Sequence, residues 1–258
     1  MPPPRDVEPL RSENRRAMND GEIEVQYQPV MRVGDGAVGG FDVLLVWQRN
    51  EPSEFAAQAE ASGMIGTLVL SALKQAASDL GRWQRAFPAA PPLFVTVNVA
   101  WRHIADAAFA QKLAIAMKSD GFAERSLKLK LTESAAPAGN ERVQAVLKNL
   151  QDLGVGFAIG DFSMLNASRA HLARVPFDTI VIDKAIVETA RDSLGAAILN
   201  SSVGLARELR VAAIADGVDA KSDLLRLKEI GCQYAQGALF GMPLRGSEVD
   251  GYIFTRMS

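Results

Sequence analysis

Eight strand-like runs recur along this chain, with helix-forming stretches between most of them, and that alternation argues for a mainly parallel sheet wrapped in helices. The runs fall at 24–31, 38–47, 93–98, 127–131, 155–159, 179–182, 211–215 and 234–235. The first two flank a glycine-containing turn at 34–36 and read as a hairpin. Helical spacing follows at 53–63, 65–85, 103–119, 140–153, 168–174, 194–209 and 221–230. At 258 residues a closed βα-barrel accommodates this count better than an open doubly wound sheet. Neither a GxGxxG nor a Walker A string supports a dinucleotide or ATP fold. Residues 1–20, with three consecutive prolines and a helix-forming stretch at 11–19, form a loose lead-in; 21–258 are expected to be one barrel domain.

A barrel of this kind assembles its site from the C-terminal ends of its strands, because those ends converge on one face. Asp42, Asn98, Glu133, Asp161, Asp216 and Gln236 stand at such ends. Composition narrows the chemistry. A net charge of −2 gives no basic stripe for DNA, RNA or an anionic membrane surface. The apolar runs are too short for a membrane span, and the proline-rich, charged start does not resemble a signal peptide. One cysteine, Cys232, forbids an internal disulfide and fits a reducing cytoplasm. Two histidines, His103 and His171, lack zinc-ligand spacing and read as ordinary helix residues. Cys232, Tyr234, Trp101 and Met164 read as core, with a partner surface as the alternative for the last two; Asp183 reads as structural.

Several strings, in order, carry a resemblance. They are VQYQPVM at 25–31, FDVLLVW at 41–47, SEFAAQAEASGMI at 53–65, VTVNVA at 95–100 and LKLTES at 129–134, then AIGDFS at 158–163, PFDTIVIDK at 176–184, IADGVD at 214–219 and GCQYAQGALFGMPL at 231–244. Together they resemble the EAL domain, the barrel that hydrolyses the bacterial second messenger cyclic di-GMP. The resemblance implies a modified (βα)8 TIM-type barrel with an antiparallel first strand, in agreement with the hairpin start. It also implies two divalent ions on oxygen ligands, a metal-activated water, and cations that absorb phosphate charge.

Carried onto this chain, the family's site keeps Asn98, Glu133, Asp161 and Gln236, with Gln28 and Leu44 as further nucleotide-contact candidates. Asp42 and Asp216 stand where the family has glutamates, each shorter by one methylene or roughly 1.3–1.5 Å. Metal–oxygen distances tolerate only about 0.2 Å. Gly160 replaces a ligand of the metal pair, Val181 the lysine beside the attacking water, and Val46 a phosphate-gripping arginine. The loop after Trp47 is short, and DFSMLNAS replaces DFGTGYSS.

The expectation is therefore a site with no confident catalytic residue. Asp42, Asn98, Glu133, Asp161 and Asp216 are either vestigial ligands for residual Mg²⁺, Mn²⁺ or Ca²⁺, or polar groups tied to nearby backbone; no cofactor is required. Three functions stay open: weak metal-dependent phosphodiesterase, cyclic di-GMP receptor without hydrolysis, and a degenerate domain that contacts a regulatory protein or a second copy of itself. The third is favoured, because a mouth of carboxylates that has lost two cations repels a dianionic ligand.

Overall fold

The computed structural model describes Ser12, Arg16 and residues 22–47, 59–60, 63–89, 91–117, 121–131, 141–162 and 175–256. Its strands are β1 (Ile23–Arg32), β2 (Val38–Trp47), β3 (Phe94–Val99), β4 (Leu127–Leu131), β5 (Gly156–Phe162), β6 (Thr179–Ile182), β7 (Ala212–Ala215), β8 (Tyr234–Gln236) and the short β9 (Leu244–Arg245). Strands β2 to β8 run parallel in chain order, and β1 closes the ring by pairing antiparallel with both β2 and β8. The result is the modified barrel with an inverted first strand. The expected helices 11–19 and 168–174 lie outside the described residues, as does most of 53–63, where Ala59 and Glu60 are helical.

Period-2 alternation decides which side chains line the barrel. On β4 the leucines of LKLKL (Leu127, Leu129 and Leu131) face outward into the main core, and on β3 so do Val95, Val97 and Val99. The helix α1 (Ile65–Ala86) covers this wall with Leu73, Ala76, Leu80 and Trp83 fully buried, while its Leu68 packs with Trp47 and Ala59. Trp83 packs edge-on to Tyr27 at 4.8 Å between ring centroids and tilts against Phe41 at 5.2 Å. Inside the barrel a smaller cluster of Val30, Phe94, Ala158, Val181 and Ile214, with Tyr234 against it, fills the floor. The polar strand ends sit above that floor.

Four features depart from the sequence reading. The single helix expected over 103–119 is two, α2 (Trp101–Ala105) and α3 (Ala107–Ala116), because Asp106 leaves the helix and caps the next by accepting from Ala108 N at 2.8 Å. β5 runs past 159 to Phe162 through an irregularity in its pairing with β6. The chain also continues beyond β8 into β9 and a helix, Gly246–Phe254, whose Val249 and Ile253 pack into the main core. Lys184–Thr189 is a further helix that the spacing did not predict, and the other α-helices among the described residues are Glu141–Asp152, Ser193–Glu208 and Lys221–Glu229. Among the described residues no helix is long and apolar enough to cross a membrane.

Candidate functional site at the strand ends

Asp42 is the centre of the site and is only 3 % exposed. It projects inward from β2, where its Oδ1 accepts from Thr96 Oγ1 on the neighbouring β3 at 2.5 Å. Its Oδ2 accepts from Lys130 Nζ on β4 at 2.6 Å, and Gln236 Nε2 on β8 lies 3.4 Å from the same oxygen. Lys130 is buried as well, its side chain 7 % exposed. The pairing follows from register. Thr96 lies beside Asp42 in the β2–β3 ladder, and Asn98, two residues on, lies beside Lys130 in the β3–β4 ladder. The long lysine stem therefore spans β3 to reach the carboxylate.

This arrangement corrects the charge balance expected from sequence, in which the mouth kept its carboxylates and lost its cations. Lys130 is a cation inside the site, and sequence reasoning missed it because LKLKL looks like a half-solvated strand. The signal was present: in a barrel strand whose leucines face the helices, the alternate lysines must face the lumen.

The other candidates are distributed unevenly. Asn98 is exposed at the end of β3, and Asp161 is exposed at the end of β5. Asp161 has φ 50°, a left-handed backbone uncommon outside glycine, at the pairing irregularity after Ile159. Asp216, just past β7, accepts from Gly217 N at 2.7 Å. Gln28 donates its Nε2 to the carbonyls of Gly237 at 3.3 Å and Gly241 at 3.0 Å. Gly237 holds φ 150°, and a Cβ there would lie 2.4 Å from Val218 backbone, so only glycine fits beside Gln236. Leu44 is half-buried on β2. Gly160 and Val181 are both buried, Val181 within the apolar floor. Asp183 accepts from Ala185 N at 2.8 Å and caps a helix, the structural role expected of it. Glu133, Met164 and His171 lie outside the described residues. Cys232 and Trp101 are core residues, each 4 % exposed.

The carboxyls of Asp161 and Asp216 are pushed above their ordinary range. Desolvation is the main cause for Asp161, opposed by Lys130 and reinforced by Asp183, Asp216 and Asp42. For Asp216 desolvation again leads, opposed by a hydrogen bond from Gln236 and by Lys130, and reinforced by Asp42. The mouth thus carries more negative charge than one lysine balances.

A divalent ion does not fit this geometry. Both oxygens of Asp42 are engaged, one by an ammonium at 2.6 Å, where a metal would be repelled. Among the described residues no three carboxylate, imidazole or thiolate side chains are grouped to hold an ion.

Two expectations follow. Replacing Asp42 by Ala leaves Lys130 charged and unpaired, and should cost about 3–5 kcal/mol in chemical denaturation. Asp216→Asn should act in the opposite sense. The folded Asp216 carboxyl keeps its proton to higher pH than the unfolded chain. Its penalty is therefore absent below the unfolded value of about 3.9 and complete above the folded one. The variant should melt higher than wild type at neutral pH, with the difference closing as the pH falls to about 4.

Comparison with known proteins agrees with the geometry. The family model described as "EAL domain" matches residues 11–243. An uncharacterised signalling protein of Caulobacter vibrioides is 32 % identical over 240 residues, 91 % of this chain and 29 % of its own length. The cyclic di-GMP phosphodiesterase NbdA of Pseudomonas aeruginosa is 30 % identical over 241 residues, again 91 % of this chain and 30 % of its own length. The chain therefore spans less than a third of these two relatives. Among solved structures, the PaMucR phosphodiesterase in complex with c-di-GMP superimposes with a TM-score of 0.83 at 28 % identity, covering 93 % of this chain and 99 % of that one. The cAMP-bound EAL enzyme Bd1971 shares the fold with a TM-score of 0.85 at 22 % identity, covering 96 % of this chain and 70 % of that one. With its barrel, its strand-end polar residues and a family match over most of its length, the chain belongs to the EAL domain family.

Proposed function

We propose that this chain is a non-hydrolysing EAL domain that works in bacterial cyclic di-GMP signalling through contacts with a regulatory protein, and needs no divalent ion to do so. The observation that carries this reading is the commitment of both Asp42 oxygens to Thr96 and Lys130 inside the barrel. Hydrolysis of a phosphodiester by two metals requires free oxygen ligands and a group that orients the attacking water. Here the central carboxylate is occupied, Gly160 has no ligand to offer, and Val181 is packed into the floor. General acid–base help contributes typically 10²–10⁴-fold, and an isopropyl group at position 181 cannot supply it.

Binding without hydrolysis is the second reading, favoured by the similarity to the PaMucR complex and by Asn98, which remains exposed at its strand end. Electrostatics weighs against it. Asp183, Asp216 and Asp42 act on Asp161 as like charges, and the nearby Lys184 is shared between Glu188 at 3.4 Å and Asp219 at 3.8 Å. A dianionic ligand there meets like charge in a partly desolvated cleft.

Calorimetric titration of cyclic di-GMP with Mg²⁺ or Mn²⁺ present, followed by chromatography of the nucleotide, separates the readings. The expectation is no saturable heat and no linear dinucleotide. Saturable heat without product would favour the receptor, and linear product would overturn the proposal. In the native bacterium, Asn98→Ala with Asp161→Ala should leave the cellular effect of the chain intact; loss of that effect, with the variant folded, would place nucleotide contact back at its centre.

A further inference from the structure

We infer that the opposite end of the barrel, where the parallel strands begin, is a second binding site and takes a small aromatic carboxylate. The apolar floor separates it from the strand-end site, so the inference goes beyond the signalling role proposed above.

Strand alternation turns one layer of side chains into the lumen at this end as it does at the other. Arg32 closes the antiparallel β1, while Phe94, Lys128, Ala212 and Tyr234 stand at or next to the starts of β3, β4, β7 and β8. Phe94 and Tyr234 meet edge to face at 5.1 Å between ring centroids and close the underside of the floor. Ala212 is too small to fill its share of the layer. Two recesses result, of about 460 and 260 Å³, with Pro91 and Tyr234 as walls of both. The larger lies within the roughly 300–1,000 Å³ range of small-molecule sites.

Charge selects the ligand. In the smaller recess Lys128 pairs with Asp178, and Arg125 faces Glu124 at 3.9 Å, so it is balanced. In the larger, Arg32 Nη2 holds Asp35 Oδ2 at 2.8 Å, but Lys228 has no partner among the described residues, which leaves one positive charge in surplus. A cationic ligand is disfavoured there, and Lys128 already occupies the Phe94 face at 5.9 Å from its centroid. The Tyr234 hydroxyl also lacks a hydrogen-bond partner among the described residues. Burial pushes its phenol above the ordinary range, opposed by Arg32, so it stays a neutral donor. An aromatic carboxylate matches this set: a flat apolar body against Pro91 and Tyr234, and an anionic end for Lys228 and the hydroxyl.

The experiment is NMR titration of the full chain, isotope-labelled in its three tyrosine rings, with benzoate, benzamide, benzamidine and acetate as probes. Tyr27 and Tyr252 pack into the main core outside the barrel, so benzoate should shift the Tyr234 signal alone. A Kd of roughly 1–10 mM is expected for a ligand of that size. Tyr234→Phe identifies the signal by its disappearance. Benzamide and acetate should bind about tenfold more weakly, each lacking one half of the recognition, and benzamidine should not bind. Lys228→Glu changes an exposed helix residue, leaves the fold intact and should weaken benzoate about fivefold. The inference is overturned if Tyr234 does not respond to benzoate at roughly ten times that Kd. It is equally overturned if any of the other three probes binds as tightly as benzoate, or if Lys228→Glu binds benzoate undiminished.

Discussion

A carboxylate withdrawn from water must find a cation or several donors, since leaving it bare costs several kcal/mol. Asp42 meets that demand inside the barrel with a threonine hydroxyl and a lysine ammonium, and the amide of Gln236 lies just beyond ideal range. Four strands that are not all neighbours are tied at one point: β2 supplies the acid, β3 the hydroxyl, β4 the ammonium and β8 the amide. The network sits directly above the apolar floor of Val30, Ala158, Val181 and Ile214. Everything above it, including the charged lip formed by Asp161 and Asp216, is shaped by the fact that this one carboxylate is already spoken for.

The consequence for function is a separation of architecture from chemistry. The barrel positions polar groups at its strand ends as the EAL family does, and it superimposes closely on a member solved with c-di-GMP. Its centre, however, is an internal ion pair. On the proposed reading the fold outlives its reaction, because closing the barrel depends on the outward leucines, valines and Trp83, none of which takes part in the site. The selection that keeps a core does not by itself keep a ligand set.

The sequence made the barrel legible because its signals are periodic and redundant. The hairpin start, the parallel run of strands and most helices emerged from alternation and glycine stops, and the ordered family strings gave the inverted first strand. Where a single polar residue competed with a longer apolar pattern, reading failed. Asp106 breaks what looks like one helix, and its capping geometry outweighs the helical spacing on either side. The C-terminal Gly246–Phe254 helix was missed, since its glycine and aromatic content is weak in helix propensity and its stability comes from packing. Within the site, Asp42, Asn98, Asp161, Asp216 and Gln236 were legible as strand-end residues. Lys130 was not, because the string around it drew attention to Glu133 three positions later, while partners on β2 and β4 are revealed only by the closed sheet. Gln28, a nucleotide-contact candidate from sequence, donates its amide nitrogen to two backbone carbonyls, a pairing that only the closed sheet reveals.

The most direct test of the account is diffraction at the manganese absorption edge from wild-type crystals equilibrated with Mn²⁺. The account expects Lys130 Nζ in contact with Asp42 and no anomalous peak within coordination range of that carboxylate, about 2.0–2.6 Å. A manganese ion seated on Asp42, with the lysine swung aside, would contradict it.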